Sequence, residues 1–288
     1  NCGFLRWQVK RAMRRLQFQH VINWVFNPAA SVIAGELGEE LVIYYCVDEY
    51  TAFTGVDSKA LAELERRLMR RSDLVIVSAD RLYQSKAPFN PRTAIVRHGV
   101  DYSHFRRALD AETVVPKEIA GLPRPVIGFF GLIADWVDVV LMASVAERFS
   151  TGSLVALGKA TTDVSALERL PNVHLLGRKP YGALPAYCKG FDVALMPFRV
   201  NDLTLNANPL KAREYLAAGL QVVSTAIPEV EALTLCRIGR DRESFLYEVE
   251  RAFFDPGPSV ERSEMVRGES WEARLDEIRQ CVTALAED

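Results

Sequence analysis

The chain reads as an α/β protein built from two doubly wound, Rossmann-like domains with parallel sheets. Three observations predict this. Apolar, β-branched runs alternate with helical patterns along nearly the whole sequence, the rhythm of buried strands joined by covering helices. Residues 109–123 (LDAETVVPKEIAGLP) interrupt that rhythm with two prolines and one glycine and read as a linker. At 288 residues the chain is long enough for two cores.

Residues 3–17 read as a basic helix and HVINWV (20–25) as a strand. A helix over 28–37 and the strand LVIYYC (41–46) follow. DSKALAELERRLMRR (57–71) is a helix capped by Asp57 or Ser58, with Leu61, Leu64 and Leu68 on one face. DLVIVS (73–78) and TAIVRH (93–98) complete four strands before the linker. After it come PVIGFFG (125–131), a helix over 137–149, SLVALG (153–158), NVHLLG (172–177), DVALMPF (192–198), QVVST (221–225) and a short strand near 235–239. Six strands suit a full doubly wound half, and by that measure the first domain is short at its N-terminal side. The boundaries expected are 1–118 for the first domain, 119–270 for the second, and 271–288 for an amphipathic helix crossing back to the first.

Composition excludes several classes. Hydrophobic residues make up 49% and charged residues 25%, and a net charge of −2 gives no bulk case for nucleic-acid binding. Five scattered cysteines show neither metal-ligand spacing nor a disulfide framework, which fits a reducing compartment. Four dispersed histidines give no metal site either. No apolar run approaches the ~20 residues of a membrane span, since Asp135 and Asp138 break the longest candidate. No signal peptide is visible, and Asn1 in place of methionine suggests a chain that starts inside a longer protein.

The chemistry concentrates in NPLKAREYLAAG (208–219). Asn208 reads as an N-cap, Pro209 as the first helical residue, with Leu210 after it, and Gly219 as the residue that closes the helix. Lys211 falls in the first turn, where the helix dipole is already positive, so the position suits a lysine best when an anion sits there. Glu214 lies on the same face, three residues on. A phosphate followed by a pair of sugar hydroxyls would satisfy the backbone N–H groups, the ammonium and the carboxylate together.

Other constellations each keep a plain structural alternative. Gly131 in GFFGLI (128–133) lets backbone approach a phosphate, or simply makes a turn; G-x-G-x-x-G is absent, which argues against a dehydrogenase. In HGVDYSHF (98–105), Gly99 allows a positive-φ turn, Asp101 a cap and Phe105 a core contact, with His98 a candidate for the interdomain cleft. Asp48 and Glu49 follow a buried strand in CVDEYTAF (46–53), the end at which open parallel sheets bind ligands. Either is an acceptor-side base or hydroxyl ligand, or a cap, while Tyr50 and Phe53 stack on a sugar or fill core. Arg178 and Lys179 sit in the loop after Gly177 and frame a base or phosphate, or are solvated. In FLRWQVKRAMRRLQF (4–18), Arg6, Lys10, Arg11, Arg14 and Arg15 lie beside Leu5, Trp7, Val9, Met13 and Leu16, a pattern for an anionic membrane surface or a solvated helix.

Taken in order, YYCVDEYTAF (44–53), SDLVIVSADRL (72–82), IVRHGVDYSHF (95–105), VIGFFGLIADWVD (126–138), the 170–198 segment and 208–230 resemble the retaining glycosyltransferases of the GT-B fold, in the large family 4 and its relatives. The last two blocks carry most of the specificity. The resemblance implies a second domain that binds a nucleotide-diphosphate sugar. Glu214 matches the second glutamate of the family's Glu-x7-Glu motif and would hold the ribose hydroxyls; Asn206 stands where the first would be, able to hydrogen-bond but without charge. Lys211 would hold the diphosphate, with Asn208, Pro209 and Leu210 beside it at the donor, Gly131 and Leu132 would line the phosphates, and Arg178 would border the base. The family's usual basic pair after the strand-end glycine is missing, since Asp135 and Trp136 occupy that region. Asp48 falls where relatives place an acceptor-side residue.

No cofactor or metal is implied beyond the donor itself, and the partners implied are that donor and a carbohydrate or lipid-linked acceptor, with no nucleic acid. The chain is expected in the cytoplasm, with the 4–18 helix as a point of contact with the inner face of the membrane. The expected activity is sugar transfer in cell-surface polysaccharide or glycolipid assembly. A catalytically impaired binding or scaffold protein of the same fold is the alternative, favoured by Asn206 and the short first domain. A nucleotide-sugar 2-epimerase would want more carboxylates and histidine than the sequence offers.

Overall fold

A computed structural model describes residues 2–287. The chain divides into two compact units. One comprises the residues up to Arg97 with Asn206–Asn208 and the chain from Leu275 on; the other comprises His98–Leu205 and Pro209–Arg274. Residues 98–118, expected in the first domain, therefore belong to the second unit. Within the stretch 109–123, Ile119 is buried in its core and Val115 and Leu122 pack against it, so these residues belong to this unit instead of linking two.

The first unit holds a four-stranded parallel sheet in the order β1 (Ile22–Val25), β2 (Leu41–Cys46), β3 (Leu74–Val77) and β4 (Thr93–Ile95). LVIYYC is apolar throughout because a central parallel strand is covered on both faces. Val42, Tyr44 and Cys46 meet Leu68 and Met69 of the Ser58–Arg71 helix. Ile43 and Tyr45, pointing the other way, pack with Ile278, Cys281, Val282 and Leu285 of the Trp271–Glu287 helix. Asp57, not Ser58, caps the Ser58–Arg71 helix, accepting from Ala60 N at 3.0 Å. The helix expected over 28–37 shrinks to a 3-10 turn at Pro28–Val32. Gly35 and Gly38 take positive φ beyond it, and the Glu39 carboxylate draws in the backbone N–H groups of Gly35 and Leu37, ending the helix early. The Cys2–Arg15 helix buries no residue.

The second unit holds a six-stranded parallel sheet of β5 (Val126–Phe130), β6 (Ser153–Leu157), β7 (Val173–Leu175), β8 (Val193–Met196), β9 (Gln221–Thr225) and β10 (Arg237–Gly239). Its spatial order is β7-β6-β5-β8-β9-β10, the doubly wound order 3-2-1-4-5-6 when counted from β5. Alternate residues of β5 feed two cores: Val126 and Phe130 one, Ile127 and Phe129 the other. Mid-strand Gly128 leaves room for the Phe191 ring, whose atoms would lie 2.0 Å from an added Cβ. Asp138 caps the Val139–Arg148 helix, and Asp241 with Ser244 forms a capping box on Arg242–Ala252. The order reverses between β5 and β8, and such switch points are where open sheets gather ligands at strand carboxyl ends.

Candidate functional site: a basic cleft at the strand ends

The Leu210–Ala217 helix is fixed tightly against β5. The Tyr215 hydroxyl, fully buried, accepts from Phe130 N at 2.7 Å. Arg213, 1% exposed, donates from Nε to Glu269 at 3.0 Å. At its end Gly219 takes φ +80°, with Gly219 N bonded to Leu216 O and Leu220 N to Tyr215 O, a Schellman closure. The start differs from the expectation. Pro209 occupies the cap position in an extended conformation and Leu210 is the first helical residue. Asn208 is not the cap: its side-chain amide donates to Ser78 O at 2.7 Å, so it is committed elsewhere.

Lys211 is then the second residue of the helix, and its side chain passes over the end of β5. A Cβ added at Gly131, where φ is +146°, would meet Lys211 Cε at 3.3 Å. The Lys211 ammonium lies 4.9 Å from the Phe130 ring centroid and 2.6 Å from Glu214 Oε2. Its side chain keeps 27% of its surface against 10% for Glu214, so the cation remains accessible while the carboxylate is mostly enclosed.

This lysine borders a cleft of about 330 Å³ at the carboxyl ends of β5, β6 and β7, lined among others by Gly131, Leu132, Gly158, Lys159, Arg178 and Lys211. Three strand-end glycines shape it. Gly131 N bonds to Leu157 O, and Gly158 N to Gly177 O. A Cβ on Gly158 would sit 1.7 Å from Gly131 O, so only glycine lets the first two turns approach. Gly158 and Lys159 were missed in the sequence, although SLVALGK repeats the strand-then-glycine signal read at Gly131. Lys179 also lines the cleft and is tied to Glu118 at 2.8 Å. Four cations against two acidic partners make this a place for an anion.

The HGVD segment takes its structural reading. Asp101 accepts from His104 N at 3.0 Å, and Phe105 is fully buried, stacked on Phe130 at 5.9 Å. Gly99 does not have positive φ; it is glycine because a Cβ would fall 2.6 Å from the Trp271 backbone. His98 pairs with the Trp271 ring at 6.0 Å. His104 stacks on Tyr181 at 4.3 Å, and the Tyr181 phenol is pushed up to about 12 by burial and by Glu214 and Asp101.

In the other unit the structure separates the two carboxylates that end β2. Glu49 is engaged: Lys86 Nζ donates to it at 2.8 Å and Thr51 Oγ1 at 2.5 Å, and these contacts hold its carboxyl below the usual range despite burial. Asp48 takes no hydrogen bond on its carboxylate among the described residues, and burial pushes it up to about 6. Glu65 and Lys86, which carry this arrangement, gave no local signal in the sequence. Tyr50 packs against the core of this unit and pairs with Phe53 at 6.3 Å. Asn206 groups with this first unit and is half-buried. Among the described residues no cluster of three or more His, Cys, Asp or Glu is arranged to hold a metal, and no helix is long and apolar enough to cross a membrane.

No protein-family profile matches the chain. Among solved structures it is similar to a UDP-forming α,α-trehalose-phosphate synthase from Burkholderia xenovorans, at 15% identity and TM-score 0.73, covering 99% of this chain and 78% of that one. It is similar also to Anabaena Alr3699/HepE, solved in complex with UDP, at 12% identity and TM-score 0.72, covering 99% and 82%. These likenesses establish the fold, that of the GT-B glycosyltransferases. Among curated proteins the chain is 28% identical over 229 residues to the putative teichuronic acid biosynthesis glycosyltransferase TuaH of Bacillus subtilis (strain 168). That match covers 73% of this chain, which spans about half the length of the relative, 56%.

Proposed function

We propose that the chain is the sugar-transferring part of a glycosyltransferase, moving a glycosyl group from a nucleotide-diphosphate sugar to an acceptor hydroxyl in cell-surface polysaccharide assembly. The observation that carries this reading is the seat of Lys211 over Gly131 at the mouth of a basic cleft in a GT-B fold. Lys211 and Lys159 offset the charge of the diphosphate, and more so as the bond to the sugar breaks. Glu214, released from Lys211 as that lysine turns to phosphate, accepts from ribose hydroxyls. Arg178 borders the base. The new bond forms on the face from which the diphosphate leaves, so configuration is retained, and the cations of the cleft supply the counter-charge without a metal. Asp48 serves on the acceptor side, orienting or deprotonating the incoming hydroxyl. The curated likeness to a teichuronic acid glycosyltransferase supports the substrate class.

Calorimetric titration of UDP-, GDP- and ADP-glucose in EDTA tests this on the wild type, Lys211→Ala and Glu214→Ala. One nucleotide series should bind the wild type, with each substitution weakening it at least tenfold. No binding by any series, or equal binding by all three proteins, defeats the proposal. Asn206 favours a second reading, a binding protein that does not turn over; donor binding without release of nucleoside diphosphate in the presence of acceptor would establish it.

The Cys2–Arg15 helix supports a contact with the inner face of the cell membrane, which would place the protein peripherally in the cytoplasm. Phe4, Leu5 and Trp7 are exposed on it, and Arg11 lies 5.3 Å from the Trp7 ring centroid. Vesicles rich in phosphatidylglycerol should retain the chain at low salt and release it at high salt; absence of retention removes this part.

A further inference from the structure

The turn after β2 is held with unusual thoroughness. Ser78 N donates to Cys46 O at 3.2 Å and Ser78 Oγ to Val47 O at 2.9 Å. The Cys46 thiol donates to Asp48 O at 3.4 Å, and Ser58 Oγ to Thr51 O at 2.7 Å. At the centre, Lys86 Nζ bridges Glu49 Oε2 and Glu65 Oε2, each at 2.8 Å, with 7% of its side chain exposed. Glu65 is 2% exposed and takes a further bond from the Tyr44 hydroxyl at 2.7 Å. Tyr44, Glu49, Glu65 and Lys86 thus join the strand, the turn and two helices through one buried cation. The carboxylate of Asp48 stands outside this network.

A buried ammonium with two carboxylates is a costly way to hold a turn, because desolvation offsets most of the attraction and apolar side chains of equal volume serve stability as well or better. Its distinctive property is directional: it fixes polar groups at set distances, as supporting shells around reactive groups do. We propose that Lys86 and Glu65 are positioning residues for sugar transfer, fixing the turn so that the Asp48 carboxylate, without a hydrogen-bond partner among the described residues, is held just past the end of β2. This rests on the acceptor-side reading of Asp48. Tyr50, whose phenol is raised by burial and in part by the Asp48 charge, and Cys46, whose thiol donates to Asp48 O, are ionisable neighbours of Asp48 in this unit.

The test is the charge-free variant Lys86→Met/Glu65→Gln/Glu49→Gln in the full chain, which keeps volume and removes the ion network. Four readouts are taken: the urea midpoint, affinity for the nucleotide-glucose series that the wild type binds, release of nucleoside diphosphate from it, and the carbon-13 titration of the Asp48 carboxyl, assigned with Asp48→Asn. The variant should be at least as stable as wild type and bind the nucleotide sugar within twofold. It should release diphosphate at least tenfold more slowly, with the Asp48 midpoint moved by half a unit or more. A stable variant whose Asp48 titration and turnover match wild type overturns the proposal. Should the variant fail to fold, Glu65→Gln, which retains the Lys86–Glu49 contact, is read by the same titration. Wild-type turnover by Asp48→Asn, with the midpoint still displaced in the charge-free variant, would instead remove the role of Asp48 while leaving the network's hold on it intact.

Discussion

Two lysine–glutamate pairs divide this molecule by what surrounds them. Lys211 meets Glu214 at 2.6 Å on one helix, beside an open cleft, with 27% of the lysine side chain exposed. Lys86 meets Glu65 and Glu49 at 2.8 Å in the core of the other unit, with 7% exposed. The contact lengths are similar and the availability is not. A ligand phosphate can draw Lys211 from its partner because water already reaches the ammonium, so the exchange costs little. Drawing Lys86 away would strand two enclosed carboxylates. An ion pair at a cleft is a latent binding group; the same pair in a core is a brace.

The sharpest way to break this contrast is to replace each lysine by methionine and compare stability by urea denaturation. Lys86→Met leaves Glu49 and Glu65 uncompensated and should cost about 3–5 kcal/mol. Lys211→Met should cost ~1–2 kcal/mol, since only Glu214 loses a partner and the site stays open to water. Equal losses at the two sites would erase the distinction. The charge-free triple substitution at Lys86, Glu65 and Glu49 sharpens it further, because removing all three charges should restore everything the single change loses.

The same contrast explains what was legible in the sequence. Lys211 and Glu214 are three residues apart on a helix, so local periodicity alone puts them on one face. Lys86 lies 37 residues from Glu49 and 21 from Glu65, and nothing local joins them. The central strands β2, β3, β5, β6, β8 and β9 were readable as largely apolar runs buried in a parallel sheet, while β1, β4, β7 and β10 are partly exposed and were read from the alternation around them. Local reading failed where a distant group intervened. Asn208 has the residue type of a cap, but Ser78, 130 positions away, takes its amide. The 28–37 segment has helical composition, but Glu39 captures the backbone that would have extended it. The cleft was half legible: Gly131, Leu132, Arg178 and Lys211, all singled out from local sequence, line it together, while Gly158 and Lys159 needed the sheet order to bring β6 beside β5.

A smaller and pH-dependent effect separates the neighbouring carboxylates Asp48 and Glu49. The Asp48 carboxyl titrates at about 6 in the folded chain against 3.8 for a free side chain. Between those values the unfolded chain has lost the proton and the folded chain keeps it, so stability falls as pH rises through the window. Below it Asp48 is neutral in both states and contributes nothing; above it the full cost of roughly 3 kcal/mol is present. Asp48→Asn should therefore stabilise the protein by up to that amount at neutral pH and leave it nearly unchanged near pH 3, below both values. Glu49 has its folded value lowered by Lys86 and Thr51, so its contribution is favourable at neutral pH and is lost on acidification. Glu49→Gln should accordingly destabilise at neutral pH, with the loss fading as pH falls. Urea midpoints of both variants at the two pH values decide the matter. If the two substitutions shift stability in the same direction at neutral pH, Asp48 is not the unpartnered carboxylate that an incoming hydroxyl would meet.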